Sequence, residues 1–188
     1  DGEPSIEFKD NSKNKLLSTI CYRINNRTTF ALEGSIFIAG ASVQWLRDKL
    51  KIINSANITE KISKKQINNN NVYLVPAFTG LGAPYWKPNV RGILTGLTRD
   101  TGRNEIIRAT LESIAYQTSD LLNAMKNDGL KPSIIKVDGG MANNYWFIQF
   151  LTDILNIKAL KPKVYETTSL GAAVMALSLI HISEPTRL

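Results

Sequence analysis

Read from the amino end, apolar and polar positions first alternate in short blocks. From Leu16 to Ala31 the pattern is strand-like and is broken by Asn25-Asn26-Arg27, which predicts two paired strands. Ile36-Phe37-Ile38-Ala39 then runs up to Gly40, and Val43, Leu46 and Leu50 continue at helical spacing, so a helix is expected to open at the glycine. The stretch 54–71 is polar and ends in four consecutive asparagines, which reads as a short helix followed by a turn. Val72-Tyr73-Leu74-Val75 reads as a buried strand stopped by Pro76, and Phe78 to Pro88 mixes Gly, Pro and aromatics without periodicity, as a structured loop does. Gly92 to Leu97 is a further strand-like piece.

The strongest helical pattern runs from Asn104 to Met125. Ile107, Leu111, Ile114, Thr118, Leu121, Leu122 and Met125 form one stripe, with Glu105, Arg108, Glu112 and Asp120 mostly outside it, and Gly129 and Pro132 mark its end. Ile134 to Val137 is a strand leading into Asp138-Gly139-Gly140 and then a helix carrying Phe147, Phe150, Leu151, Ile154 and Leu155. A strand over 157–160 and a small-residue helix over 168–177 complete the pattern. Strands and helices interleaved in this way predict an α/β layered fold. Beyond Leu177 the Gly-Ala-Ala pattern breaks into Ile180-His181-Ile182-Ser183-Glu184-Pro185, so 178–188 is read as foreign sequence outside the domain 1–177.

Composition narrows the classes. With 188 residues, 43% of them hydrophobic, one domain with a substantial core is expected, and disorder and collagen are excluded. The net charge of +7 raises the question of a nucleic-acid partner, but the lysines are scattered among Asn, Ser and Ile rather than gathered with aromatics, so no nucleic acid is expected. Apolar runs fall short of a membrane span, and the single Cys21, read as a small half-buried residue, fits a reducing, cytoplasmic setting.

Candidate chemistry is sparse. His181 is the only histidine, so neither a Ser-His-Asp triad nor a histidine metal site is available, and no Gly-x-x-x-x-Gly-Lys phosphate loop occurs. What remains is the strand, Asp138-Gly139-Gly140, helix unit. Two glycines let the backbone turn tightly and let a ligand approach without a Cβ in the way, and a following helix offers free N–H groups to an anion. A plain strand-to-helix turn is the commoner meaning of a lone Asp-Gly-Gly, and Asp138 beside it reads more readily as a turn cap than as a base. Gly40-Ala41-Ser42-Val43-Gln44 sets a glycine and a side-chain amide four positions apart, on one helical face.

Taken together, the blocks Phe30-Ala31-Leu32-Glu33-Gly34-Ser35, Ala39-Gly40-Ala41-Ser42-Val43-Gln44-Trp45-Leu46-Arg47-Asp48, Val75-Pro76-Ala77-Phe78-Thr79-Gly80-Leu81-Gly82-Ala83-Pro84-Tyr85-Trp86, Gly92 to Leu97 with Glu105 to Glu112, Val137-Asp138-Gly139-Gly140 and Glu166 to Ala173 resemble, in order, the C-terminal domain of the FGGY carbohydrate kinases, most of all their glycerol-phosphorylating branch. The resemblance implies an actin-like ATPase, ribonuclease-H-like domain that closes on a second domain over ATP and glycerol, with Mg²⁺. It implies transfer of the ATP γ-phosphate to glycerol in a cytoplasmic, homo-oligomeric enzyme. Carried over by position, Gly40, Gln44, Gly140 and Asn144 are the nucleotide-binding residues; Asn143 is the neighbouring alternative to Asn144. No catalytic or metal-binding residue is assigned within this chain. The family's N-terminal domain, with its phosphate-binding hairpin, its Arg-Glu pair and the Asp that acts as base, lies outside the chain, which is therefore expected to be inactive alone. Pro84-Tyr85-Trp86 is family-diagnostic and is assigned to aromatic packing. Another sugar kinase of the family, such as a pentulose kinase, or a non-catalytic actin-like nucleotide-binding module are the other readings.

Overall fold

The computed structural model describes residues 14–24, 26–162 and 167–183. Strands β1 (Leu17–Ile24) and β2 (Arg27–Glu33) pair antiparallel, as the polar break predicts, with Asn26 in the left-handed region at φ 60°. Asparagine tolerates that conformation better than most side chains. The register slips between Ile20 and Tyr22, a bulge at Cys21 that leaves this residue exposed rather than half-buried.

Helix α1 (Gly40–Asp48) opens at the expected glycine and buries Ser42, Val43 and Leu46. It stops short of Leu50, which is exposed. Helix α2 (Asn57–Lys65) is followed by the asparagine turn, where the Asn68 and Asn69 side chains accept the Asn70 and Asn71 backbone N–H groups. Strands β3 (Tyr73–Val75) and β4 (Ile93–Thr95) form a second antiparallel pair. β3 was expected to be buried throughout, yet Tyr73 and Val75 are exposed and only Leu74 is buried, because one face alone packs, against Ala109 and Trp45. In the loop between them Trp86 meets Phe37 edge to face at 6.2 Å and donates its indole N–H to the Lys15 carbonyl, while the Tyr85 hydroxyl donates to Asp120.

Helix α3 (Arg103–Asn127) is the spine of the molecule. Its first turn is closed by Glu105, whose carboxylate accepts the Gly102 N–H at 2.9 Å, and Gly129 at φ 95° ends it. Ile107, Leu111, Ile114, Ala115 and Leu122 meet Val43 and Leu46 of α1 and Phe147, Leu151 and Leu155 of helix α4 (Tyr145–Leu155) in the main core. Each fully buried side chain of this kind contributes about 1.5–3 kcal/mol.

Strands β5 (Ile134–Lys136) and β6 (Lys158–Leu160) run parallel, joined through α4. Among the described residues the strands make three separate two-stranded ladders rather than one sheet. Helix α5 (Thr167–Ser183) is attached by its first residue, where the Thr167 hydroxyl donates to Asp138. It continues past the boundary expected at Leu177, and 184–188, the rest of the segment read as foreign, lie outside the described residues.

Candidate functional site

Two glycine-led entries converge. A cleft of about 280 Å³ is lined by Gly40, Val43, Gln44 and Arg47 of α1, Ala56 before α2, and Gly140 and Met141 after β5. Three of the four residues singled out in the sequence, Gly40, Gln44 and Gly140, thus face one space although 100 positions separate the two glycines. On α1 the spacing places them: residues 40, 44 and 47 recur at helical intervals, so they share a face.

The glycines leave room. A Cβ on Gly140 would stand in open space with nothing within 4 Å, and one on Gly40 would meet only Met141 at 3.9 Å. The preceding Gly139 has φ 83°, a conformation that lets the chain leave β5 and turn under the cleft. The walls are apolar at Val43, Ala56 and Met141 and polar at Gln44 and Arg47. A ligand with an apolar body and a polar edge suits such a lining. The Arg47 guanidinium forks onto the neighbouring Asp48 at 2.6 and 2.9 Å, and this hydrogen bond holds the Asp48 carboxyl below its usual range and Arg47 above its own.

The α4 helix does not start at the glycines. A single 3-10 turn, Gly140–Asn143, comes first, and Asn144 is the N-cap of α4, its Oδ1 accepting the Phe147 N–H at 2.9 Å. The other half of its amide donates to the Thr59 hydroxyl at 3.2 Å. Asn144 is 9% exposed and does not line the cleft. A 3-10 turn therefore stands where an α-helix was expected to open, and its Ala142 N–H bonds back to the Gly139 carbonyl. Asn143, in contrast, is exposed. Like Asn144, Asn143 is not among the residues that line the cleft, and Asn144 is the one turned towards the core.

Asp138 accepts a hydrogen bond from Thr167, which, with the Gly139 N–H, lowers its carboxyl below the ordinary range. Its partners are thus the Gly139 N–H and the first residue of α5. Of the four charged residues placed mostly outside the α3 stripe, Asp120 is exposed and Glu105 half-buried, whereas Arg108 and Glu112 are packed away from solvent. Glu112 is 3% exposed and takes the Arg108 Nε–H at 2.7 Å and the Asn69 amide at 2.8 Å, and Arg108 also donates to the Ser63 and Gln66 carbonyls and lies 5.0 Å from the Trp146 ring. Their neighbour Tyr116 is pushed up to about 12, first by burial and then by the Glu112 charge.

Val43 and Arg47 lie outside the set of site residues expected from the sequence although they continue the Gly40–Gln44 face, which helical spacing alone makes visible. Ala56 and Met141 carry no such signal and are brought in by the packing of α2 and of the glycine turn. Among the described residues no group of three His, Cys, Asp or Glu side chains could hold a metal ion, and no helix is long and apolar enough to cross a membrane.

Residues 11–179 match the FGGY family of carbohydrate kinases, C-terminal domain. A glycerol kinase of Alteromonas mediterranea is 57% identical over 165 residues, which are 88% of this chain and 33% of that protein, and glycerol kinase 1 of Pseudomonas aeruginosa matches to the same extent. The chain thus spans about a third of the length of the curated relatives it matches. Among solved structures, the crystal structure of Plasmodium falciparum glycerol kinase with ADP superposes with a TM-score of 0.82 at 40% identity, covering 93% of this chain and 35% of that one. A ligand-bound xylulose kinase of Lactobacillus acidophilus, at 21% identity and TM-score 0.76 over 95% of this chain and 36% of that one, shares the fold.

Proposed function

Since this chain belongs to the FGGY family of carbohydrate kinases, as the C-terminal domain, we propose that it is the nucleotide side of a glycerol kinase, which transfers the γ-phosphate of ATP to a terminal hydroxyl of glycerol. The observation that carries this reading is the cleft itself, where Gly40, Gln44 and Gly140 come together from two distant segments. The 57% identity to proteins named glycerol kinases and the likeness to one crystallised with ADP support the same substrate pair.

The backbone at Gly40 and Gly140 lets the nucleotide approach closely, Val43, Ala56 and Met141 pack on its apolar surface, and the Gln44 amide donates and accepts at its edge. Of the two asparagines, Asn143 is exposed, and Asn144 holds the turn whose Gly140 and Met141 line the cleft. Mg²⁺ fits this picture as a companion of the phosphates, since the cleft lining has no carboxylate of its own. Phosphoryl transfer asks for charge neutralisation and in-line placement more than for covalent help, and the cleft lining offers no carboxylate to take the glycerol proton.

The test is glycerol-dependent ADP formation from Mg-ATP by the chain expressed with its upstream coding sequence, with pentuloses and other polyols as competitors. Turnover preferring glycerol is expected. Turnover restricted to a pentulose would move the chain to another branch of the family, and nucleotide binding without any turnover would make it a non-catalytic module.

A further inference from the structure

We propose that Thr59 is a positioning residue for the nucleotide, setting through Asn144 the distance between the Ala56 side of the cleft and the 3-10 turn. The proposal rests on the nucleotide reading of that cleft. Thr59 touches none of the ligand space itself: it is 1% exposed, on the inner face of α2, and does not line the cleft. Its hydroxyl donates to the Ala56 carbonyl at 2.7 Å and accepts from the Asn144 amide at 3.2 Å. Beside α1, Ala56 lines one side of the cleft, and Asn144 follows directly on the turn Gly140–Asn143, whose Gly140 and Met141 line another. One buried hydroxyl therefore joins the start of α2 to the start of α4, 85 positions apart in sequence, at the point where the cleft is bounded by both.

The chemistry of the three groups makes the link directional. Asn144 spends Oδ1 on the Phe147 N–H, which fixes its amide plane and leaves Nδ2 aimed at Thr59. Thr59 has one proton, committed to Ala56, so it can meet Asn144 only as an acceptor. The Ala56 N-cap of α2 supplies no side-chain hydrogen bond, and the Thr59 hydroxyl ties the first turn back to the Ala56 carbonyl. Valine in place of Thr59 keeps the shape, removes both bonds, and leaves the Asn144 N–H₂ without its partner in a buried setting, where an unpaired donor is costly. The low-cost relief is a shift of the 3-10 turn relative to α2, and a shift of that kind falls on Gly140 and Met141. A well-placed site loses affinity steeply with small displacements.

The experiment measures ADP affinity by calorimetry, and steady-state kinetics in the protein carrying its upstream coding sequence, for wild type, Thr59→Val, Thr59→Ser and Asn144→Asp. Asn144→Asp keeps the Phe147 cap while removing the donor to Thr59, so it provides a folded probe of the same link if Thr59→Val does not fold. The expected result is ADP binding weakened on the order of 10-fold in Thr59→Val and in Asn144→Asp, with recovery in Thr59→Ser. KM for ATP should rise while KM for the acceptor stays at its wild-type value. Wild-type affinity in folded Thr59→Val or Asn144→Asp overturns the proposal and leaves the nucleotide cleft standing. So does an equal loss in Thr59→Ser, which would put the effect in the methyl group. Absence of ADP binding in the wild type overturns the nucleotide reading, and the positioning role with it.

Discussion

At the scale of single residues, glycines and asparagines that look alike in sequence have different duties. Gly140 has open space where a Cβ would go, whereas Gly139 needs its positive φ. Gly140→Ala should leave the melting temperature unchanged or slightly raised, because alanine restricts the unfolded chain where the native backbone accepts it. The same substitution should weaken ADP binding by a factor on the order of 10, equivalent to about 1.4 kcal/mol. A loss of both properties, seen by thermal melts beside calorimetry, would mean that the glycine serves the fold. The neighbouring asparagines split the other way. Asn144→Ala removes a helix cap and should cost about 0.5–2 kcal/mol in chemical denaturation, whereas Asn143→Ala, at an exposed position, should be near neutral in stability. The residues that the sequence could nominate were those whose type is unusual for their setting, Gly40 and Gly140 before helical segments. It could not say which of two adjacent amides faces outwards, because that depends on one 3-10 turn that rotates Asn144 into the core.

At the scale of elements, α3 departs most from its pattern. Periodicity found its length and apolar stripe, and the β1–β2 pair was equally legible from its asparagine break. The burial of Arg108 and Glu112 was not legible, since charged residues at helical spacing look alike whether they face water or a neighbouring helix. Only the approach of the 66–70 turn and Trp146 closes over them. An ion pair this deeply placed is costly to break one-sidedly, so Glu112→Ala should lose about 3–5 kcal/mol in urea unfolding, a large part of the stability of an ordinary domain. Restoring apolar contact on both sides, Arg108→Met with Glu112→Leu, should recover much of it. Tyr116 on the same helix gives a pH signature. Its pKa, raised to about 12, favours the protonated phenol in the folded state. Its contribution is therefore fully present below the ordinary tyrosine value of about 10 and is lost as pH rises from there through about 12. Tyr116→Phe should flatten the fall in melting temperature over that alkaline interval; an unchanged profile would place the titrating group elsewhere.

On the scale of the whole molecule, stability and site share one core. Val43 and Leu46 of α1, the α3 stripe and Phe147 of α4 form the main cluster, and the cleft lies between elements anchored in it, whereas Leu170, Val174 and Met175 of α5 are exposed. Regions with dense buried contacts open only through near-global unfolding, and sparsely packed ones open locally. Amide exchange should therefore be slowest in α3 and the middle of α4 and fast along α5. A nucleotide bound between α1 and the 140–143 turn adds its binding energy to the unfolding of that shared core. At 100 times its dissociation constant this is about 2.7 kcal/mol, which for a chain of this size raises the melting temperature by roughly 5–10 °C. Exchange should slow at Gly140 to Asn143 and at the start of α1 and stay unchanged in α5. A rise in melting temperature with protection spread into α5 instead would mean that the nucleotide organises the C-terminal helix as well, and a core that melts at the same temperature with saturating ADP would separate the cleft from the nucleotide altogether.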